Sequence, residues 1–289
     1  MTSLQGPTTP EIVPGAESWQ GVPADGPVRG AVVLSHGFTG SPFSLRGWGE
    51  QLVAAGYEVS VPRLAGHGTT WQEMNRTDWT DWYGTVEAEV LRLSERHDRV
   101  GVGALSMGGS LALRIAQQHP DRVTGLALVN PSVGSADPKM RFVPLLSRFV
   151  PSIEGIADDI AKPDVTERAY PRTPLRAVAS MMRLWRTVRA DLDQVRCPIL
   201  LFRSLVDHVV DPSSAKLIME QVSSESVTER LLQRSFHVAT LDFEADDIVA
   251  ESIEFYGSLL AAPADGPVRD ERATSRLPPT TAGTSTGSG

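Results

Sequence analysis

The sequence predicts an α/β fold: a doubly wound, mostly parallel sheet with a small helical insertion. Three observations carry this. Short, continuously apolar runs alternate with stretches of helical period, the pattern of strands buried on both faces by helices. Several of those runs end in turns rich in Gly or Ser, GAVVLSHG and RVGVGALS among them. One long stretch, 132–194, breaks the alternation with a series of prolines.

Residues 1–25 are rich in Pro, Gly and Thr and are expected to be flexible. GAVVLSHG (30–37) reads as the first strand and residues 45–56 as a helix ending at Gly56. YEVSVPRL (57–64) is a second strand, closed by AGHG. A polar helix is expected over 77–97, with Trp79, Trp82, Tyr83, Val86, Val90 and Leu93 at helical spacing. RVGVGAL (99–105) is a third strand, and SLALRIAQQHP continues as a helix to Pro120. VTGLALVNP (123–131), CPILLFRS (197–204) and VTERLLQRSF (227–236) complete the strands, and ADDIVAESIEFYGSLL (245–260) is the last helix. The core therefore falls in 26–131 and 195–261.

The interruption at 132–194 carries Pro138, Pro144, Pro151, Pro163, Pro171 and Pro174 among amphipathic pieces. Val178, Met181, Met182, Trp185 and Val188 share one helical stripe. We read the segment as a cap over the sheet, with Met181, Met182 and Trp185 facing a substrate; ordinary connecting helices are the alternative. Residues 262–289 contain almost nothing that joins a core and are expected to be disordered.

The formal net charge of −8 disfavours a nucleic-acid partner, because no basic surplus exists to neutralise phosphates. A single cysteine, Cys197, excludes an internal disulfide and a Cys-based metal cluster. No apolar run reaches the ~18 residues of a membrane span. The first residues lack a basic start followed by an apolar block, so the cytoplasm is the expected location. Neither a metal nor an organic cofactor is expected, and the oligomeric state is not legible.

Chemistry concentrates in GVGALSMGGS, residues 101–110. A strand that turns sharply into a helix leaves its turn residue at the carboxyl edge of the sheet, where ligands of doubly wound folds bind. Such a turn strains the backbone at a nucleophile and requires small neighbours. Here they are Ala104, Gly108, Gly109 and Ser110, with Ala104 in the place where the usual Gly-x-Ser-x-Gly pattern has Gly. Two other readings compete: Ser106 as a plain helix cap, and Gly101-x-Gly103-x-x-Ser106 as a dinucleotide loop lacking its third Gly.

A serine nucleophile needs a base, and the base needs an orienting acid. In sheets of this kind they follow in the order Ser, acid, His. Of the six histidines, His237 comes directly after the last strand, at the correct edge. His67, in AGHG, is its strongest rival but precedes Ser106. His97 and His119 read as solvated helix ends, and His208 as pointing away from the site. Asp207 lies just past the CPILLFRS strand. Asp211 precedes Pro212 and reads as a helix cap instead. The developing oxyanion needs N–H donors, which Met107 and Phe38 supply from the serine turn and the SHGFTGSP loop. His36 is expected to brace that loop.

With these residues in order, the chain resembles an α/β-hydrolase, and more narrowly the bacterial carboxylesterase and monoacylglycerol-lipase group. The matching stretches are VVLSHGFTGSPFSLRGWGEQLVAAGYEVSVPRLAGHG, the SMGGSLAL turn, CPILLFRSLVDHVVDPSSAKLI and SFHVATLDFEADDI. The resemblance implies a triad of Ser106, Asp207 and His237 and an oxyanion hole of Phe38 and Met107. It implies a serine esterase of small acyl esters, monoacylglycerols with their glyceryl leaving group among them, while the apolar cap suggests an acyl chain of short to medium length. An acidic residue of the cap, Glu154, Asp158 or Asp159, is a candidate to bind glyceryl hydroxyls, although each reads first as solvated charge. Two alternatives remain open: an acyltransferase or thioesterase on the same triad, and a ligand-binding protein that keeps the fold without turnover.

Overall fold

The computed structural model describes residues 10–155 and 158–260; the expected C-terminal tail and residues 1–9 lie outside the described residues. In chain order the strands are β1 (Trp19–Gly21), β2 (Ala31–Ser35), β3 (Glu58–Val61), β4 (Val100–Leu105), β5 (Val123–Val129), β6 (Ser152–Glu154), β7 (Arg172–Pro174), β8 (Ile199–Ser204) and β9 (Val227–Leu232). The helices are α1 (Arg46–Ala54), α2 (Trp71–Met74), α3 (Trp79–Ser94), α4 (Met107–Gln118), α5 (Val143–Leu146), α6 (Leu175–Ala190), α7 (Ser213–Gln221) and α8 (Ala245–Leu260). Seven strands form one sheet in the order β1-β3-β2-β4-β5-β8-β9. Every pair is parallel except β1 with β3. This is the α/β-hydrolase fold.

Alternate residues along each strand point to opposite faces, and both faces are covered. On one face Val33, Val102, Ala104, Leu128 and Leu201 pack beneath Trp82 and Val86 of α3 and Leu111 and Ile115 of α4. On the other, Val32, Leu34, Val59, Val129 and Phe202 pack beneath Trp48 and Leu52 of α1 and Ile248 and Tyr256 of α8. Leu34 is fully buried, and truncating such a side chain to Ala costs about 2–5 kcal/mol. Helix α3 begins where Asp78 and Asp81 form a reciprocal capping box, each side chain accepting a backbone N–H of the first turn.

One expectation needs correction. Residues 1–25 are not flexible throughout: Trp19–Gly21 pair antiparallel with Val59–Val61 at the sheet edge. The Trp19 indole lies against Gly49 of α1, where a Cβ would come within 2.7 Å of the ring. The strand is too short to show alternation, so the packing of the half-buried Trp19 on α1 holds it where no sequence pattern announces it.

Between β5 and β8 the chain leaves the sheet to form α5, the β6–β7 pair and α6. Helix α6 has two working faces. Ala177, Leu184 and Val188 join the core beside α4, while Val178, Met181 and Trp185 face a cavity at the carboxyl ends of the strands. Among the described residues, no helix is long and apolar enough to cross a membrane.

Candidate active site

Ser106 stands between β4 and α4 with φ 56° and ψ −120°. A positive φ is strained for any residue with a Cβ, and persists only where surrounding structure enforces it. Here the parallel ladders on both sides of β4 aim the chain at the turn, and the Ser106 N–H donates to Val129 O at 3.0 Å. The next helical turn passes so close to β2 that a Cβ on Gly108 would lie 2.2 Å from Ser35 O. Ser106 occupies the helix-cap position, yet its hydroxyl makes no capping bond. The simple-cap reading therefore fails. The dinucleotide-loop reading fails too, because Gly101 and Gly103 sit inside β4, with Tyr256 and Leu34 where their side chains would be.

The loops after β8 and β9 bring in the partners. His237 Nδ1 and Asp207 Oδ2 are 2.8 Å apart, with each side chain 7% exposed. The other carboxylate oxygen of Asp207 accepts the N–H groups of Val209 and Val210 at 2.8 Å each, which fixes its rotamer. With a proton on Nδ1 donated to Asp207, the Nε2 lone pair of His237 is left free. Ser106 and His237 line the same cavity, and no hydrogen bond joins their side chains. Burial alone pulls the His237 imidazolium down. The hydrogen bond and charge of Asp207, with the charges of Glu167 and Asp159, more than offset it, so the ring titrates above the ordinary histidine value.

The cavity measures about 470 Å³, within the range of small-molecule sites. Leu105, Val178, Met181, Trp185, Val209 and Val238 supply apolar wall; Thr39, Ser135, Asp158, Glu167 and His208 supply polar wall. Of the three side chains expected to face a substrate, Met181 and Trp185 line this cavity. Met182 instead lines an adjoining outer groove with Arg186 and Arg189, because it is turned around α6 from the 178–181–185 edge. Phe38 borders the cavity, and Met107 is the first residue of α4, where the helix dipole is positive. Neither backbone N–H has an acceptor among the described residues.

The remaining histidines have structural employment. His36 Nε2 accepts the Leu64 N–H at 3.2 Å, while its Nδ1 lies 3.0 Å from Gly37 O, so the ring braces the loop that carries Phe38. His67 is fully buried edge-on to His36 and Trp82, and burial lowers it to about 4. His97 and His119 are not solvated ends: they pair with Glu58 at 3.0 Å and Glu87 at 2.7 Å, on neighbouring elements that sequence spacing does not reveal. His208 does not point away. It lines the cavity and pairs with Asp159 at 2.7 Å. Asp211 accepts the Ser213 N–H at the start of α7, as a cap does.

The residue that sequence reasoning missed is Glu167. It lies in a polar loop, KPDVTERAY, yet is 7% exposed and lines the cavity. Gly40 makes room for it, since a Cβ there would lie 2.6 Å from Glu167 Oε1. Burial raises its carboxyl to about 7, against a lowering pull from His237. No signal in the sequence marks it apart from its neighbours. Among the described residues, no cluster of His, Cys, Asp or Glu is arranged to hold a metal.

Comparison with known proteins agrees with this fold. A family model described as serine aminopeptidase, S33 matches residues 26–244. The chain is 39% identical over 247 residues to the thermostable monoacylglycerol lipase of Bacillus sp. (strain H-257), covering 85% of this chain and 96% of that one. It is 27% identical to a carboxylesterase of Bacillus subtilis (strain 168), covering 79% and 93%. A solved structure from work on the metagenome-derived lipolytic enzymes LipS and LipT superposes with a TM-score of 0.80 at 36% identity, over 85% of this chain and 98% of that one. A soluble variant of the Saccharomyces cerevisiae monoglyceride lipase superposes at 0.68 with 19% identity, over 90% and 97%, a likeness of fold. The chain thus belongs to the serine aminopeptidase S33 family of α/β-hydrolases, and it is a serine hydrolase of carboxylic esters.

Proposed function

We propose that the chain hydrolyses monoacylglycerols, with Ser106 as nucleophile, His237 as base, Asp207 as orienting acid, and segment 132–194 as the cap that closes the site. The observation that carries the reading is the Glu167 carboxylate: it lies on the polar wall of the cavity that Ser106 and His237 share, with no hydrogen-bond partner among the described residues. A buried carboxylate calls for donors. The free hydroxyls of a glyceryl leaving group supply them, whereas a simple alkyl alcohol does not. Glu154, Asp158 and Asp159 were the sequence candidates for this task. Asp158 is occupied by the Glu167 N–H and the Thr166 hydroxyl, and Asp159 by His208 and His237.

In the first half-reaction His237 Nε2 takes the Ser106 proton as Oγ bonds to the ester carbon. The carbonyl electron pair moves onto oxygen, which the N–H groups of Phe38 and Met107 receive. Each such donor is worth about 3 kcal/mol of barrier. The tetrahedral centre then expels the alcohol oxygen, which takes the proton from His237. In the second half-reaction a water gives its proton to His237, attacks the acyl-enzyme, and releases the fatty acid while the proton returns to Ser106. Asp207 holds the imidazole in the required tautomer and balances its charge. Val178, Met181 and Trp185 receive the acyl chain.

Monoacylglycerols and ethyl esters of matched chain length test the reading on wild type, Ser106→Ala and Glu167→Gln. The expected result is a kcat/KM preference for the glyceryl ester of at least about tenfold, the scale of one charged hydrogen bond. Glu167→Gln narrows that ratio and Ser106→Ala abolishes turnover of both. Equal ratios in wild type and Glu167→Gln defeat the alcohol assignment, and activity retained by Ser106→Ala defeats the nucleophile.

A further inference from the structure

We propose that Asp159 is a positioning residue for ester hydrolysis, holding the loops of His237 and Asp207 in register from the segment above them; this rests on the triad reading. Its carboxylate is 10% exposed and fully engaged. Oδ1 meets His208 Nδ1 at 2.7 Å, and Oδ2 accepts the backbone N–H of His208 at 3.1 Å and of His237 at 3.2 Å. Its own carbonyl accepts the Val238 N–H at 3.1 Å. One residue therefore captures the position after the acid, the base itself, and the position after the base.

The loops need this bridge. They leave β8 and β9 separately, and His237 stands five residues beyond Leu232, the last of its strand. Asn130 holds the His237 carbonyl at 2.8 Å, Asp242 holds the Phe236 N–H at 2.9 Å, and Glu244 holds residues 233–235. The Glu244 restraint acts on the His237 loop alone, whereas Asn130 also accepts the Ser204 N–H at 2.8 Å and donates to the Ser204 hydroxyl at 3.0 Å, joining the two chains where they leave β8 and β9. Asp207 spends its second oxygen on its own loop. Beyond Ser204, and apart from the Asp207–His237 bond, Asp159 is the hydrogen-bonding group among the described residues that reaches both the position after the acid and the base itself. It is itself fixed, because Asp242 accepts the N–H groups of Ala161 and Lys162 at 2.7 and 2.9 Å.

Asp159 also acts through charge. The carboxylates facing the His237 ring are Asp207 from the loop after β8 and Glu167 and Asp159 from the segment above, with His208 beside Asp159. Removing one negative charge weakens the hold on the imidazolium, so the acid limb of activity moves to lower pH.

The test uses full-length Asp159→Asn and His208→Ala, with fluorophosphonate labelling of Ser106 and p-nitrophenyl acetate kinetics across pH. Asp159→Asn keeps one acceptor oxygen, puts an NH2 donor where the other oxygen accepted and removes the negative charge. It is expected to lower kcat by roughly ten- to a hundredfold, the scale of a misplaced catalytic group, with KM changed by less than about twofold. The acid limb moves down by about half a pH unit, a modest charge effect. His208→Ala keeps both backbone bonds and the Asp159 charge and is expected to lose less kcat than Asp159→Asn, since it removes only the half-exposed side-chain pair. Wild-type kcat and acid limb in Asp159→Asn overturn the proposal, as does a loss in His208→Ala equal to that in Asp159→Asn. Should Asp159→Asn not fold, amide exchange in the wild type decides: protected His208 and His237 N–H groups support the bridge, and free exchange at either overturns it. Wild-type protein unlabelled at Ser106 defeats the triad reading, and this one with it.

Discussion

Glu167→Gln has a consequence for stability that can be worked from the structure. The folded protein raises this carboxyl from 4.5 to about 7, mainly by burial. Folded protein therefore binds the proton more tightly than unfolded chain. Below pH 4.5 the group is neutral in both states and carries no penalty. As pH rises toward 7 the unfolded chain ionises first, and the native state loses stability until the folded group ionises too. At 1.36 kcal/mol per decade the full penalty is about 3 kcal/mol. Glutamine never ionises, so Glu167→Gln escapes the penalty. Urea unfolding at pH 4.5 and pH 8 measures it. The variant's advantage over wild type should grow by about 3 kcal/mol between those pH values, or roughly 6–12 °C in melting temperature for a chain of this size. A difference between variant and wild type that is the same at both pH values refutes the reasoning, because the buried carboxylate would then carry no charge-dependent strain.

Three further outcomes follow from the site. The acid limb of kcat/KM, which reports the free enzyme, should have its midpoint above the ordinary histidine value of 6.5, because Asp207, Glu167 and Asp159 together outweigh burial of His237; a midpoint below 6.5 contradicts this balance. Asp207→Asn should lower kcat by about 10⁴-fold, as loss of an orienting acid does when the wrong tautomer results, with stopped-flow or steady-state ester turnover as the readout. Gly108→Ala drives a methyl against the Ser35 carbonyl, which is backbone and cannot rotate away; destabilisation of about 1–3 kcal/mol or more is expected, and a melting temperature like that of wild type contradicts the close approach.

Much of this was legible in the residues because it is written locally. Apolar runs such as AVVLS and VTGLALV announce buried strands, and the sheet they form carries Ser106, Asp207 and His237 to one edge by topology alone. The serine turn was readable because its steric demand selects small neighbours on both sides. Long-range pairing was not readable. Glu167 and Asp159 sit in loops whose composition reads as solvated, and only the path of the 158–167 segment over the cavity buries them. His97 and His119 looked like helix ends in solvent because Glu58 and Glu87 lie on other elements. Trp19 makes an edge strand by packing on α1, and three residues are too few to alternate. Met182 was misplaced for a finer reason: it shares the stripe of Met181 and Trp185, but the cavity meets only one border of that stripe.

The central claim is that the Ser106 hydroxyl is made nucleophilic by His237. Mass spectrometry of protein treated with a fluorophosphonate at pH 8 tests it most directly, in wild type, Ser106→Ala and His237→Ala. The account predicts one phosphonyl adduct on the peptide bearing Ser106, none in Ser106→Ala, and labelling slowed by orders of magnitude in His237→Ala. An adduct on another residue, or equal labelling rates with and without the imidazole, contradicts it.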